Sequence, residues 1–173
     1  MLLLLPGVVL WFGTAQLWAQ EDETPAMKQY REDYEQYQKI QAVKEPLKRT
    51  DEQLKFIQER PQSQMLKNVM ADFLLYVQDL GKQTKWDTIV SLSERFIRLQ
   101  PRVGEIYYYY GQALDSLKKS DQAIEALIKC YLVKNPGSDR AKLYFESIYK
   151  RLHQGKIDGL DALIQKVRNQ IAG

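Results

Sequence analysis

From Pro25 onward, apolar residues return at intervals of three and four and almost never alternate, which is the period of helices rather than strands. Tyr30, Tyr34 and Tyr37, leading to Ile40, mark one predicted helical stripe, and Leu54 with Ile57 marks another. The punctuation agrees with this pattern. Thr50 with Gln53 reads as a capping box, in a helix bracketed by Pro46 and Pro61. Ser120 followed by Asp121 is a second start signal, and Asn135-Pro136-Gly137 is a stop, with Ser138 capping the next start. No strand-like run of useful length exists, so the expected class is all-α.

Sliding the chain by 34 residues brings its apolar positions into columns. Phe73 falls on Tyr107 and Ala141, Tyr76 on Tyr110 and Tyr144, and Leu80 on Leu114 and Ile148. Further along, Ile89 meets Ala123 and Ile157, Leu92 meets Ala126 and Leu160, and Phe96 meets Cys130 and Ile164. Leu99 meets Val133 and Val167. Each window divides into two helical stripes separated by a short polar turn. The expected units are 70–103, 104–137 and 138–171, preceded by a divergent helix pair within 21–69. Units of this kind bury their apolar faces only against their neighbours, and a terminal one is expected to be atypical.

The middle unit carries Tyr107, Tyr110-Gly111 and Leu114 in its first stripe and Ala123, Leu127 and Cys130 in its second, and so resembles the tetratricopeptide repeat family. Gly111 and Ala123 stand where the family places small residues at a close helix crossing. The first unit supplies Trp86-Asp87 at its turn and ends on Pro101. The outer units depart from the pattern: Val77 and Phe145 occupy the Gly111 site, and Ile89 and Ile157 replace the small partner. The last turn, His153-Gln154-Gly155-Lys156, runs long, with Asp158 the expected cap of the helix that follows. The resemblance implies a tetratricopeptide-like helical-hairpin solenoid of about three repeats whose first helices line a concave, ligand-binding side. Matched residue by residue, that side would carry Leu74 and Gln78, then Tyr108, Gln112 and Asp115, then Lys142, Glu146 and Tyr149.

Met1 to Gln20 is a different kind of sequence, apolar and without a charged side chain, followed abruptly by Glu21, Asp22 and Glu23. Such a run before a polar region is the pattern of a secretory signal peptide, with Ala19 before the cut. The other reading is an uncleaved membrane anchor, although Pro6, Gly7, Gly13 and Gln16 interrupt the span. Either way the expected location is periplasmic or secreted, in a bacterium, since a lone cysteine offers no disulfide framework.

Composition narrows the function classes. Against 22 acidic side chains stand 25 Lys plus Arg, a net charge of +3 that is too small to imply a nucleic-acid partner. The surplus lies in residues 138–173, which hold 7 basic and 4 acidic side chains. One Cys and one His cannot build a Cys/His zinc site, and no cofactor or metal is expected. Cys130 falls in a core column and reads as a small hydrophobe, while His153 reads as a helix-end residue. No Gly-rich phosphate loop, Gly-x-Ser-x-Gly elbow or His-Glu-x-x-His occurs, so catalysis is not expected.

Of the four consecutive tyrosines at 107–110, Tyr107 and Tyr110 belong to the core column, whereas Tyr108 points elsewhere. The mixture of aromatic, amide and both signs of charge on the expected concave side suits a protein or extended peptide. The expected function is therefore an exported, non-catalytic interaction module. The alternative is a structural subunit of a bacterial envelope assembly. Phe56-Ile57 through Pro61 and Ser63 is similar to helical-repeat factors that assemble outer-membrane proteins.

Overall fold

The computed structural model describes residues 24–133 and 137–172. Met1 to Gln20 and the Asn135-Pro136 stop lie outside the described residues, as do the export and anchor readings that rest on them. Within the described residues the chain is all-α, with eight helices: α1 (Pro25–Ala42), α2 (Pro46–Glu59), α3 (Leu66–Lys82), α4 (Trp86–Leu99), α5 (Gly104–Ser116), α6 (Ser120–Leu132), α7 (Ser138–Leu152) and α8 (Leu160–Ala172). No described helix is long and apolar enough to cross a membrane.

The helices pack in chain order. Each of α1 to α6 lies against its successor, and α2 with α4, α3 with α5, and α6 with α8 meet across one intervening helix. A continuous core follows this path: Val69, Phe73, Val77 and Leu80 of α3, Ile89, Leu92 and Phe96 of α4, and Ile106 and Leu114 of α5. It continues through Ala123, Leu127 and Cys130 of α6 into Ala141, Phe145 and Ile148 of α7. The rings of Phe73 and Phe96 stack across α3 and α4 with centroids 4.8 Å apart.

The 34-residue interval is visible in the backbone. Helices α3 and α5 end on non-glycine residues in the left-handed region, Thr84 (φ 57°) and Lys118 (φ 64°), which stand 34 positions apart. Beside them Lys85 N–H donates to the Leu80 carbonyl (3.0 Å) and Lys119 N–H to the Leu114 carbonyl (2.8 Å). These are the six-to-one bonds of a Schellman closure. Helix α7 ends the same way at Gln154 (φ 53°), with Gly155 N–H on the Lys150 carbonyl at 2.7 Å. That closure falls two residues later than the period predicts. The following helix then starts at Leu160, so Ile157, expected in a core column, lies in the connection and is exposed. Leu160 and Val167 nevertheless keep their columns and are buried.

Two expectations are corrected. Thr50 and Gln53 do not cap a helix; Pro46 begins α2, and both residues are buried in its interior, with Thr50 Oγ1 donating to the Leu47 carbonyl at 2.7 Å. The inward face of α1 is Asp33, Tyr37 and Ile40, whereas Tyr30 and Tyr34 are exposed and stack on each other at 6.3 Å. Helix α3 begins at Leu66. Asp33 explains the turn of α1: at 2% exposure it accepts from Gln29 Nε2 (2.7 Å) and pairs with Arg60. A carboxylate that must meet a guanidinium from the end of α2 outranks two tyrosines that tolerate water. Burial pushes the Asp33 carboxyl up, but hydrogen bonds from Ser63, Arg60 and Gln29 and the Arg60 charge outweigh it and hold it below the ordinary value.

Two results are expected from these contacts. A Cβ at Gly111 would lie 2.6 Å from Leu127 Cγ and 3.2 Å from the Ala123 carbonyl, so Gly111→Ala should destabilise by about 2 kcal/mol and lower Tm by about 6 °C. The same Cβ at Gly81 meets Ile89 and Trp86 at 3.9 Å, and Gly81→Ala should instead raise Tm by about 2 °C. Thermal melts followed by circular dichroism separate the two signs. The folded Asp33 carboxyl binds its proton less readily than in the unfolded chain, so its stabilisation is complete above the ordinary carboxylate value and fades as pH falls through the folded one. Asp33→Asn should therefore cost about 1–2 kcal/mol at pH 7 and progressively less below about pH 4, read from urea unfolding across pH.

Candidate interaction face

Helices α3, α5 and α7 place the predicted contact residues. Tyr108 is half-buried; Arg140 of α7 sits over its ring at 5.0 Å, and the Tyr144 ring lies 6.5 Å away. Leu74 is half-buried against the core, Gln78 is exposed, and Gln112 is half-buried. Lys142 and Glu146 are one helical turn apart on α7, with their charged atoms at 3.9 Å. Tyr108 with Lys142, and Gln78 with Gln112 and Glu146, occupy equivalent positions of the 34-residue register on α3, α5 and α7, while the α7 residues against Tyr108 itself are Arg140 and Tyr144.

The other two are committed inside the fold. Asp115 accepts from Ser120 Oγ (3.1 Å) and Tyr144 Oη (3.1 Å) and pairs with Arg151, which ties the end of α5 to the start of α6 and to α7. Tyr149 is only 7% exposed; its hydroxyl donates to the Asp158 carbonyl at 2.6 Å, and its ring stacks on His153 at 4.1 Å. Asp115 fastens the α5–α6 turn to α7, and Tyr149 fastens the last turn.

One column of the 34-residue register was overlooked: Leu75, Tyr109 and Leu143. Leu75 is 58% exposed and Leu143 is 69% exposed, with Tyr109 half-buried between them in sequence order. Burial pushes the Tyr109 hydroxyl up, the Glu105 charge adds to it, and the cations Arg140 and Lys82 oppose it. Arg140 lies on α7 and Lys82 on α3, so the field at Tyr109 comes from both flanking helices. The signal was present in the alignment, since an apolar column that does not belong to either core stripe has to face outward.

Two hollows flank other helices. One, of about 430 Å³, is bordered by Glu94 and Arg98 of α4, Tyr110 of α5 and Lys129 of α6. There Tyr110 Oη donates to Glu94 (3.1 Å), and burial, followed by that bond and the Glu94 charge, pushes its hydroxyl up to about 12. The other, about 240 Å³, lies between α1, α2 and α3. Among the described residues no group of three or more His, Cys, Asp or Glu side chains is placed to hold a metal ion.

No protein-family model, curated protein or solved structure matches the chain.

The Asp115 fastener has a spectroscopic signature. Burial, then the Asp115 charge and hydrogen bond, push the Tyr144 hydroxyl up to about 12. In Asp115→Asn the charge is gone while burial remains, so the Tyr144 ionisation should move down toward, without reaching, the ordinary tyrosine value near 10. Phenolate absorbance titration of Asp115→Asn, compared with Asp115→Asn combined with Tyr144→Phe, isolates that step.

Proposed function

We propose that the chain is a non-catalytic interaction module, a short tetratricopeptide-like helical stack that holds a protein or extended peptide segment on the face formed by α3, α5 and α7. The observation that carries this reading is the exposed apolar column Leu75, Tyr109 and Leu143, one residue from each of three helices closed by the same left-handed turn. Adjacent to it run Tyr108, Gln112 and Gln78, a ring and two amides, together with the charges of Arg140, Lys142 and Glu146.

A pre-ordered face of this kind binds with little loss of its own conformational freedom, and its apolar positions recur at roughly the spacing between neighbouring helices, about 10 Å. That distance equals about one three-residue turn of a polyproline-II segment, in which every third side chain falls on the same face, so a segment of that kind with an apolar side chain at every third position is favoured. The export reading of Met1 to Gln20 places such a module outside the cytosol, where a scaffold role fits best.

Photo-crosslinking in cells checks the face. A benzophenone amino acid at Leu143 or Gln78 should crosslink one discrete partner, and the same group at Gln122 of α6 should not. Leu143→Asp, a change at a 69% exposed position, should leave Tm within about a degree and cut the Gln78 crosslink about tenfold. Crosslinks confined to Gln122, or a Gln78 crosslink indifferent to Leu143→Asp, would refute the assignment of this face.

A further inference from the structure

The recess of about 240 Å³ between α1, α2 and α3 differs from the corresponding places further along the chain. Tyr76, Tyr110 and Tyr144 occupy one column of the 34-residue register. The hydroxyl of Tyr110 is bonded to Glu94 and that of Tyr144 to Asp115, whereas the Tyr76 hydroxyl, which lines the recess, has no partner among the described residues. Burial pushes Tyr76 up, so it remains a protonated donor at neutral pH. Opposite it, Arg49 of α2 uses its Nε on the Val43 carbonyl (2.8 Å), which leaves both terminal NH2 groups of a half-buried guanidinium unpaired among the described residues. Gln53, 1% exposed, lines the same recess with its Oε1 unpartnered.

An unbonded, fully buried amide oxygen costs about 1–3 kcal/mol, and a free arginine fork beside it adds no compensating pair. The carboxylates of the recess, by contrast, each have a partner on one oxygen. Asp72 takes the Tyr37 hydroxyl at 2.9 Å and the Gln41 amide, and Asp79 pairs with Lys82 at 2.7 Å. The unmet demand is therefore for a carbonyl oxygen, to serve Arg49 and Tyr76, and for an N–H, to serve Gln53. A carboxylate could pair with the Arg49 fork, but it supplies no N–H for Gln53 and is opposed by the Asp72 charge, so it is the poorer occupant. Pro46 and the exposed Leu75 add apolar contact, and Leu75 is the first member of the outward column.

We infer that this recess is the subsite for one backbone amide of a bound peptide, with the apolar side chain of that residue resting on Leu75 and Pro46. The volume is below the 300–1,000 Å³ of ordinary small-molecule pockets, so the recess accommodates about one residue of a longer segment. The inference rests on the reading of the α3–α5–α7 face as a peptide-docking surface and assigns one end of it a polar anchor.

The test is a ¹H–¹⁵N NMR titration of the full chain with N-acetyl-leucinamide, with 4-methylpentanoate as the carboxylate of similar shape. The amide should shift the side-chain resonances of Arg49 and Gln53 with a millimolar Kd, and the carboxylate should bind at least several-fold more weakly. Gln53→Leu, which removes the orphaned oxygen at nearly constant volume, should raise Tm while weakening the amide at least tenfold. Arg49→Ala should weaken the amide as well, and Leu143→Asp should leave this titration unchanged. A recess that ignores the amide, prefers the carboxylate, or binds equally well in Gln53→Leu would overturn the inference. Crosslinking from Gln78 and its loss in Leu143→Asp report on the face independently, so the two readings fail separately.

Discussion

A helix that is apolar on two sides cannot be satisfied by one neighbour. Helix α6 shows the constraint most clearly: Ala123, Ile124, Ala126, Leu127, Ile128 and Cys130 are all buried, and they need α5 on one flank and α7 with α8 on the other. Removing either flank would strand part of that surface in water at roughly 25 cal/mol for each Å² exposed. The order of packing along the chain follows from this requirement. From α2 to α7 each helix covers its predecessor, and α8 returns to α6, so the core runs lengthwise through the described residues. Gly111 sets how tightly the α5–α6 step can close, because there the α5 backbone and the Leu127 side chain meet with no room for a methyl group.

The turns are subordinate to that packing. Thr84, Lys118 and Gln154 adopt left-handed backbone without being glycine, at a cost of about 1 kcal/mol each. The cost is tolerated because the closure brings the next helix back onto the one just finished. At α7 the closure arrives two residues late, and the chain adds the open stretch around Ile157 before α8 regains its register at Leu160.

Burial was largely legible in the residue order, because a repeated interval averages over many side chains and survives individual exceptions. Most core columns are buried as the 34-residue alignment requires; Ile157 is exposed, and Tyr76, Tyr110, Tyr144, Leu99, Val133 and Ile164 are only half-buried. Local punctuation was less legible. Thr50 with Gln53 has the spacing of a capping box, but Pro46 can begin a helix four residues earlier, and once it does, both residues are interior. Tyr30 and Tyr34 look like stripe members because tyrosine is apolar enough to pack and polar enough not to. The deciding residue was Asp33, whose pull toward Arg60 spans 27 positions and has no local trace. The interaction face suffered from the same blindness. Which of its polar residues remain free depends on partners such as Ser120, Tyr144 and Arg151 around Asp115, brought together only by the completed stack.

The two ends of the stack consequently carry opposite polar chemistry. At the α5–α6–α7 junction a single carboxylate collects a hydroxyl, a phenol and a guanidinium, and the result is a closed network that adds rigidity where the register slips. At the α1–α2–α3 junction each carboxylate has a partner on one oxygen, yet an arginine fork, a phenol and a buried amide are left over. Buried polar groups are ordinarily paired, and replacing Gln53 by leucine would be the simple way to relieve the deficit. The Gln53 amide oxygen thus holds a hydrogen-bonding capacity that the described residues do not use. Because the same junction opens beside Leu75, that capacity lies at the start of the outward apolar column.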